Sequence, residues 1–158
     1  MTSKHAVNMT KESDDVIVKT VSRLLIPFMQ VYALYVIAHG HYSPGGGFQG
    51  GVILAAALIL LAITFGLNNV LHRMSEKLNT ILCSLGVFIY AGIGLLCLIL
   101  GGNFLDYKEL DKILHVGIAH ARSLGILGIE TGVGIAVMAV MLSIFLDIST
   151  GGLPSTKE

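Results

Sequence analysis

Long apolar runs alternate with short polar segments along this chain. Each run holds about 18 to 23 residues, and about 20 residues of helix cross the hydrocarbon layer of a bilayer. The pattern therefore predicts an all-α integral membrane protein with four transmembrane helices, built as a single membrane domain over residues 1–158. The runs cover residues 21–38, 51–71, 78–100 and 126–146, between polar tails at 1–15 and 147–158.

The three segments between the runs differ in character. The first is rich in glycine, the second (72–77) is short and charged, and the third (104–123) is amphipathic. Apolar residues recur at helical spacing in the third loop, which predicts a short helix on the membrane surface. Those positions are Leu110, Ile113, Leu114, Gly117 and Ile118.

Lysine and arginine are distributed unequally between the two sides of the membrane. Three of the ten, Lys108, Lys112 and Arg122, belong to the third loop, and the first loop has none. The other seven flank the opposite ends of the spans or lie in the tails. Because cytoplasmic loops carry an excess of Lys and Arg, the count predicts that both termini are cytoplasmic. The seven are Lys4, Lys11, Lys19, Arg23, Arg73, Lys77 and Lys157.

Composition supports a lipid environment. Hydrophobic residues make up 54% of the chain, charged residues make up 13%, and the mean hydropathy is +0.79. A soluble domain carries about 25% charged residues. The formal net charge is zero, whereas nucleic-acid-binding domains carry basic stripes, so no nucleic-acid partner is expected.

The first loop concentrates the unusual residues of the chain. Five of the seven residues at 45–51 are glycine, and such backbone adopts conformations closed to other residues. Nearby His39 and His41 carry imidazoles that titrate near neutral pH. These histidines have two possible roles, a proton or ion relay and a structural role at the membrane interface. The run lacks the Gly-Lys-Ser/Thr ending of a phosphate-binding loop, and no cofactor or firm metal site is expected.

Glu130 interrupts the last apolar run. It lies eight residues beyond Arg122, roughly 12 Å along a helix. A charge at that depth faces protein or water and is a functional candidate, for H⁺ or a transient Na⁺. A structural pairing with Arg122 or a loop histidine is the alternative. An even number of spans places the first loop and the start of the fourth span on the same side of the membrane.

Small residues form two stripes at four-residue spacing, which lets helices approach closely. One contains Gly128, Gly132 and Ala136, and the other contains Gly47, Gly51 and Ala55. Glu130 is about 200° around the helix from Gly128. We therefore expect the Gly128 face to pack closely while the Glu130 face looks elsewhere, as suits a subunit wedged between partners.

Two motifs carry a family resemblance. Residues 41–51 read His-Tyr-Ser-Pro-Gly-Gly-Gly-Phe-Gln-Gly-Gly, and residues 128–134 read Gly-Ile-Glu-Thr-Gly-Val-Gly. With the chain length and the four-span layout, they make the chain resemble the MnhB/MrpB-like family, small subunits of the multi-subunit Mrp-type sodium/proton antiporters, over residues 21–148. The motif residues that the resemblance carries onto this chain are Pro44, Gly45, Gly46, Gly47, Phe48, Gly50 and Gly51.

The resemblance implies an accessory subunit of a hetero-oligomeric complex in a prokaryotic cell membrane. That complex exchanges Na⁺ for H⁺, its large antiporter-like subunits hold the main proton channels, and small membrane subunits are further partners. The chain is then a transporter subunit and not an enzyme. Related modules occur in membrane-bound hydrogenases and sulfur-reducing complexes, which leaves a redox-driven pump as one alternative and a purely structural packing subunit as another.

Overall fold

The computed structural model describes the backbone of residues 2–42 and 45–151 and the side chains of residues 16–42 and 45–151. Within this part the chain is helical and contains no strand. Four helices are long and apolar enough to cross a membrane, with candidate spans Val16–Ala38, Gly47–Phe65, Glu76–Ile99 and Ile118–Thr150. The predicted all-α architecture with four spans is confirmed. In order, the helices are α1 (Thr2–Ala38), α2 (Gly47–Phe65), α3 (Leu67–Arg73), α4 (Glu76–Ile99), a 3₁₀ helix (Tyr107–Leu110), α5 (Asp111–Leu114) and α6 (Ile118–Thr150).

The first helix is longer than the first apolar run. It begins at Thr2, so helical backbone continues through residues predicted as a polar tail. Extending an existing helix adds one hydrogen bond for each residue that becomes fixed, and no glycine or proline interrupts the segment before Pro27.

Two predicted helices end earlier in the structure, at residues that have positive φ. The second run, predicted as one helix over 51–71, divides at Gly66 (φ +93°) into α2 and α3. The predicted short helix of the third loop does not continue through Gly117, because His115 (φ +51°) and Gly117 (φ +90°) leave the helical region. The third loop therefore contains only the 3₁₀ helix and α5, and α6 begins at Ile118, eight residues before the predicted span.

Helix α6 is the centre of the bundle. It packs against both α2 and α4, and α1 packs mainly against α2. Glycines bring the backbones together at these crossings: a Cβ built on Gly51 would lie 2.6 Å from the carbonyl oxygen of Gly134, and one built on Gly86 would lie 2.6 Å from that of Gly132. Such close approach is the means by which small residues drive helix association in a membrane.

The first loop lies in a recess of the bundle. Gly47, at the start of α2, contacts Glu130, whereas α6 continues another twelve residues toward Ile118. Gly86 of α4 is beside Gly132, and α4 continues thirteen residues further to Ile99. At 1.5 Å per residue, α6 extends roughly 18 Å and α4 roughly 17 Å past the level of Glu130, since Gly132 lies two residues deeper than Glu130. The first loop therefore lies far below the ends of the two neighbouring helices.

Candidate functional site

The carboxylate of Glu130 meets the start of α2. Its Oε2 atom accepts a hydrogen bond from the backbone N–H of Gly47. The predicted placement of the glycine-rich loop and Glu130 on one side is thus realised as direct contact. Glu130 is half-buried, and none of the ion pairs in the described part of the chain includes it; those pairs lie in the third loop, between Lys108 or Lys112 and the carboxylates of Asp106 and Glu109.

Three glycines form the walls around this carboxylate. A Cβ on Gly40 would lie 3.0 Å from Cδ of Glu130, and one on Gly46 would overlap both carboxylate oxygens. A Cβ on Gly47 would overlap the backbone carbonyl of Glu130. A side chain at any of these positions would have to displace Glu130 or its helix, so the carboxylate occupies space that only glycine leaves free.

The carboxylate of Glu130 lies at the positive end of the α2 helix dipole. Gly46, the N-cap residue of α2, has no side chain to bond the first N–H groups. These N–H groups carry the positive end of the helix dipole, which stabilises an anion. Glu130 supplies that anion from another helix.

The two histidines of the loop occupy different environments. His39 is exposed, its ring stacks on Tyr35 with centroids 4.1 Å apart, and its Nδ1 lies 3.1 Å from the Tyr35 carbonyl oxygen. His41 follows Gly40 directly, and its Nδ1 is buried without a hydrogen-bond partner within residues 16–42 and 45–151. The structure therefore turns His39 toward its own helix and leaves a nitrogen of His41 unpaired beside the loop that surrounds Glu130.

The remaining motif residues have distinct contacts. Gly50 faces α1, where a Cβ would lie 2.8 Å from the carbonyl oxygen of Ala33. Gly45 lies beside the Gln49 side chain, and Phe48 points outward with 63% of its surface exposed. Gly51 packs on α6, as described above. Pro44 lies outside the described residues.

The predicted division of α6 into two faces corresponds to two neighbours. Gly128 and Gly132 face α4, since added Cβ atoms would lie 2.7 Å from Cδ1 of Ile93 and 3.0 Å from the Gly86 carbonyl oxygen. Glu130 and Gly134 face α2. The Glu130 face is therefore also closely packed, because its partner helix contributes glycines at the contact.

Sequence reasoning passed over two features of the structure. Gly40 belongs to the conspicuous loop, but its closeness to Glu130 depends on a turn after α1 that spacing does not encode. Asn79, 2% exposed, donates from Nδ2 to the carbonyl oxygen of Ala139 at 2.9 Å and to Oγ of Ser143 at 2.7 Å. A lone amide at the start of an apolar run was the available signal for this tie between α4 and α6.

Comparison with known proteins adds independent information. A family model described as a domain related to the MnhB subunit of Na⁺/H⁺ antiporter matches residues 17–143. Curated proteins of Staphylococcus aureus strains Newman, JH1 and COL, each named as a candidate antiporter subunit, mnhB2, are similar to the chain. Each is 29% identical over 141 residues, which is 89% of this chain and 98% of the relative.

Proposed function

The chain belongs to the family of domains related to the MnhB subunit of Na⁺/H⁺ antiporters, and on this basis we propose a role for its recessed carboxylate. The protein is an accessory membrane subunit of a multi-subunit Na⁺/H⁺ antiporter, and a transporter component instead of an enzyme. Within the complex, Glu130 lies on the path of the exchanged cations, at the floor of the recess above the first loop.

The contact between Glu130 and the start of α2 carries this proposal. The carboxylate of Glu130 lies at the N-terminus of α2, where the helix dipole attracts negative charge. Oxygen donors suit hard cations. Irregular backbone at membrane depth is tolerated where protein covers it or water fills a cavity, and unwound segments of this kind coordinate Na⁺ or H⁺ in transporters.

His41 is the second group that we assign to the path. Its unpaired Nδ1 lies in the residue after Gly40, which borders the carboxylate. An imidazole can both accept and donate a proton, so we assign to His41 the transfer of protons to and from the recess. His39 is engaged with Tyr35, and we leave it out of the path.

Partner subunits cover the outward faces of the helices in this proposal. Large apolar side chains are exposed at helical spacing on α1 and on α4. Such faces meet either lipid or the apolar helices of neighbouring subunits. We expect antiporter-like and small membrane subunits as those neighbours, with both termini of this chain in the cytoplasm. The exposed residues are Leu24, Phe28, Val31 and Tyr35 on α1, and Ile81, Leu85, Phe88, Leu95 and Ile99 on α4.

A purely structural role is the second candidate, and the same contact favours it. Glu130 caps α2, and a cap stabilises a bundle whether or not ions pass. The two roles differ in their response to charge. A glutamine can accept the Gly47 hydrogen bond through its amide oxygen, yet it carries no charge for Na⁺ or H⁺.

The test is Na⁺-dependent proton exchange in inverted vesicles from cells that express the whole complex with Glu130→Gln. We expect exchange to fall at least about tenfold, the equivalent of about 1.4 kcal/mol, while the tagged chain still captures the same subunits. Asp147→Asn is the matched control, because Asp147 is an exposed acid on the same helix at its other end. It should exchange normally.

Normal exchange by the Glu130→Gln complex would remove Glu130 from the ion path and leave the structural role. Capture of the tagged chain also distinguishes the settings of the module. Antiporter-like subunits alone support the exchanger, whereas hydrogenase or iron–sulfur subunits among the captured proteins would place the chain in a redox-driven pump.

A further inference from the structure

A cavity of about 390 Å³ opens between the other ends of α1 and α2. It lies on the side of the membrane opposite the recess, where α1 enters and where α2 gives way to α3. Four of its lining residues are apolar and four are polar or cationic. They are Arg23, Ile26, Pro27, Gln30, Leu61, Phe65, Asn69 and Arg73.

The cavity is cationic and lacks an acidic side chain in its lining. The guanidinium carbon of Arg23 lies 5.6 Å from the centre of the Phe65 ring, a cation–π contact that holds the group in place. None of the ion pairs in the described part of the chain includes Arg23 or Arg73. Two guanidinium groups with planar, bidentate donors therefore face one space without a carboxylate from its walls.

The depth of the cavity restricts which groups can neutralise the charges of its two arginines. Arg23 is seven residues into the candidate span that starts at Val16, roughly 10 Å along the helix. Arg73 ends α3, beyond the end of α2. The two arginines line the cavity, while Ile26 and Leu61 line its wall closer to the middle of the candidate spans of α1 and α2.

We infer that this cavity binds the phosphate of an anionic glycerophospholipid. Paired arginines bind phosphate oxygens bidentately, and the Gln30 and Asn69 amides add polar groups to the wall. The apolar wall suits the first part of an acyl chain. Basic pockets between transmembrane helices at this level are places where anionic headgroups bind. The bound lipid ties α1 to α2 and α3 at the end of the bundle away from Glu130.

Titration of the delipidated complex with phosphatidylglycerol tests this inference. The intact complex, captured through a tag on this chain, is stripped of lipid in mild detergent. Bound lipid is then measured by native mass spectrometry, and the melting temperature is followed as phosphatidylglycerol, phosphatidylcholine or inorganic phosphate is added. We expect phosphatidylglycerol alone to bind and to raise the melting temperature.

The variant Arg23→Gln/Arg73→Gln should bind phosphatidylglycerol at least about tenfold more weakly, because it loses the charged hydrogen-bond donors to the phosphate. Arg23→Lys/Arg73→Lys keeps the charge and should lose less. Arg122→Gln removes an exposed arginine at the other end of the protein and should bind as the wild type does. Glu130→Gln should also bind normally, which separates this site from the proposed ion path.

Three results would overturn the inference. The first is equal stabilisation by phosphatidylcholine. The second is the full effect from inorganic phosphate alone. The third is a stable delipidated complex without any response to phosphatidylglycerol, which would mean that a partner subunit fills the cavity.

Discussion

Glu130 and Gly47, 83 positions apart in sequence, share a hydrogen bond in which a carboxylate of α6 accepts the first free N–H of α2. The bond places an acid at membrane depth against backbone instead of against a basic side chain. A buried charge in lipid costs about 2.5–3.5 kcal/mol or more, and here the positive end of a helix dipole offsets part of that cost. The glycines around the carboxylate provide the space.

The Gly47→Ala variant should prevent normal packing of α2 on α6. Its Cβ would overlap the backbone carbonyl of Glu130, and backbone cannot rotate away as a side chain can. Overpacking of this kind costs about 1–3 kcal/mol or more. We expect the tagged subunit to be degraded or to lose its partners in pull-down experiments from membranes.

Gly92→Ala is the control for that experiment. Gly92 lies inside α4, and an added Cβ would meet no atom within 4 Å. Its subunit should accumulate as the wild type does, and accumulation is the readout because Gly92 lies between Phe88 and Leu95 on the outward face of α4. Equal accumulation of the Gly47→Ala and Gly92→Ala subunits would contradict the close approach of α2 and α6.

The Gly46→Ala variant should move the carboxylate without parting the helices. Gly46 has an extended backbone (φ −139°) that alanine can adopt, and the added Cβ would overlap the carboxylate oxygens of Glu130. We expect assembly to persist and the apparent Na⁺ affinity of exchange to fall about tenfold, as for the loss of one hydrogen bond to a charged group.

Shortening the side chain at position 130 tests the same contact between Gly46 and the Glu130 carboxylate. In the double variant Gly46→Ala/Glu130→Asp the carboxylate is one methylene further from position 46, so exchange should recover relative to Gly46→Ala alone. A double-mutant cycle on the apparent Na⁺ affinity measures the coupling. Purely additive effects would show that position 46 acts elsewhere than on Glu130.

Asn79→Ala should loosen the contact between α4 and α6. It removes the two hydrogen bonds from the Asn79 amide to Ala139 and Ser143. Interhelical hydrogen bonds of this kind contribute about 0.6–2 kcal/mol in membranes. Thermal unfolding of the detergent-solubilised complex should shift downward, whereas Asn68→Ala, on the exposed side of α3, should leave it unchanged. Identical melting of both variants would show that the amide adds no stability.

The third loop should become less stable at alkaline pH because of Tyr107. Burial raises the pKa of its phenol above the usual value near 10, and neighbouring acidic groups add to the effect. The folded loop therefore favours the protonated phenol. Its stabilising contribution is complete below about pH 10 and is lost as the pH rises through the raised pKa.

The absorbance of tyrosinate is measured against pH in wild type and in Tyr107→Phe. The difference between the two curves is the titration of Tyr107 alone. We expect a midpoint above about pH 10, together with a smaller fall of the melting temperature in Tyr107→Phe than in wild type between about pH 9 and 11. A midpoint at or below about 10 would contradict the burial of the phenol in the folded loop.

Hydropathy alone determined the four spans, because a stretch of about 20 apolar residues has few stable alternatives to a membrane-spanning helix. Two errors in predicted helix boundaries come from the backbone angles of single glycines. Gly66 and Gly117 adopt positive φ where the apolar spacing predicts helix, and spacing reports side-chain polarity but not the backbone angles of a glycine.

The even number of spans also placed the glycine-rich loop and Glu130 on one side of the membrane, since the chain crosses the bilayer twice between them. Only the tertiary structure decided that they touch, that Gly40 and Gly46 surround the carboxylate, and that the loop lies roughly 18 Å below the ends of its neighbours. Those facts depend on how far the helices slide past each other. That register is fixed by glycine contacts between distant segments, such as Gly51 with Gly134 and Gly86 with Gly132, which no periodicity along one segment encodes.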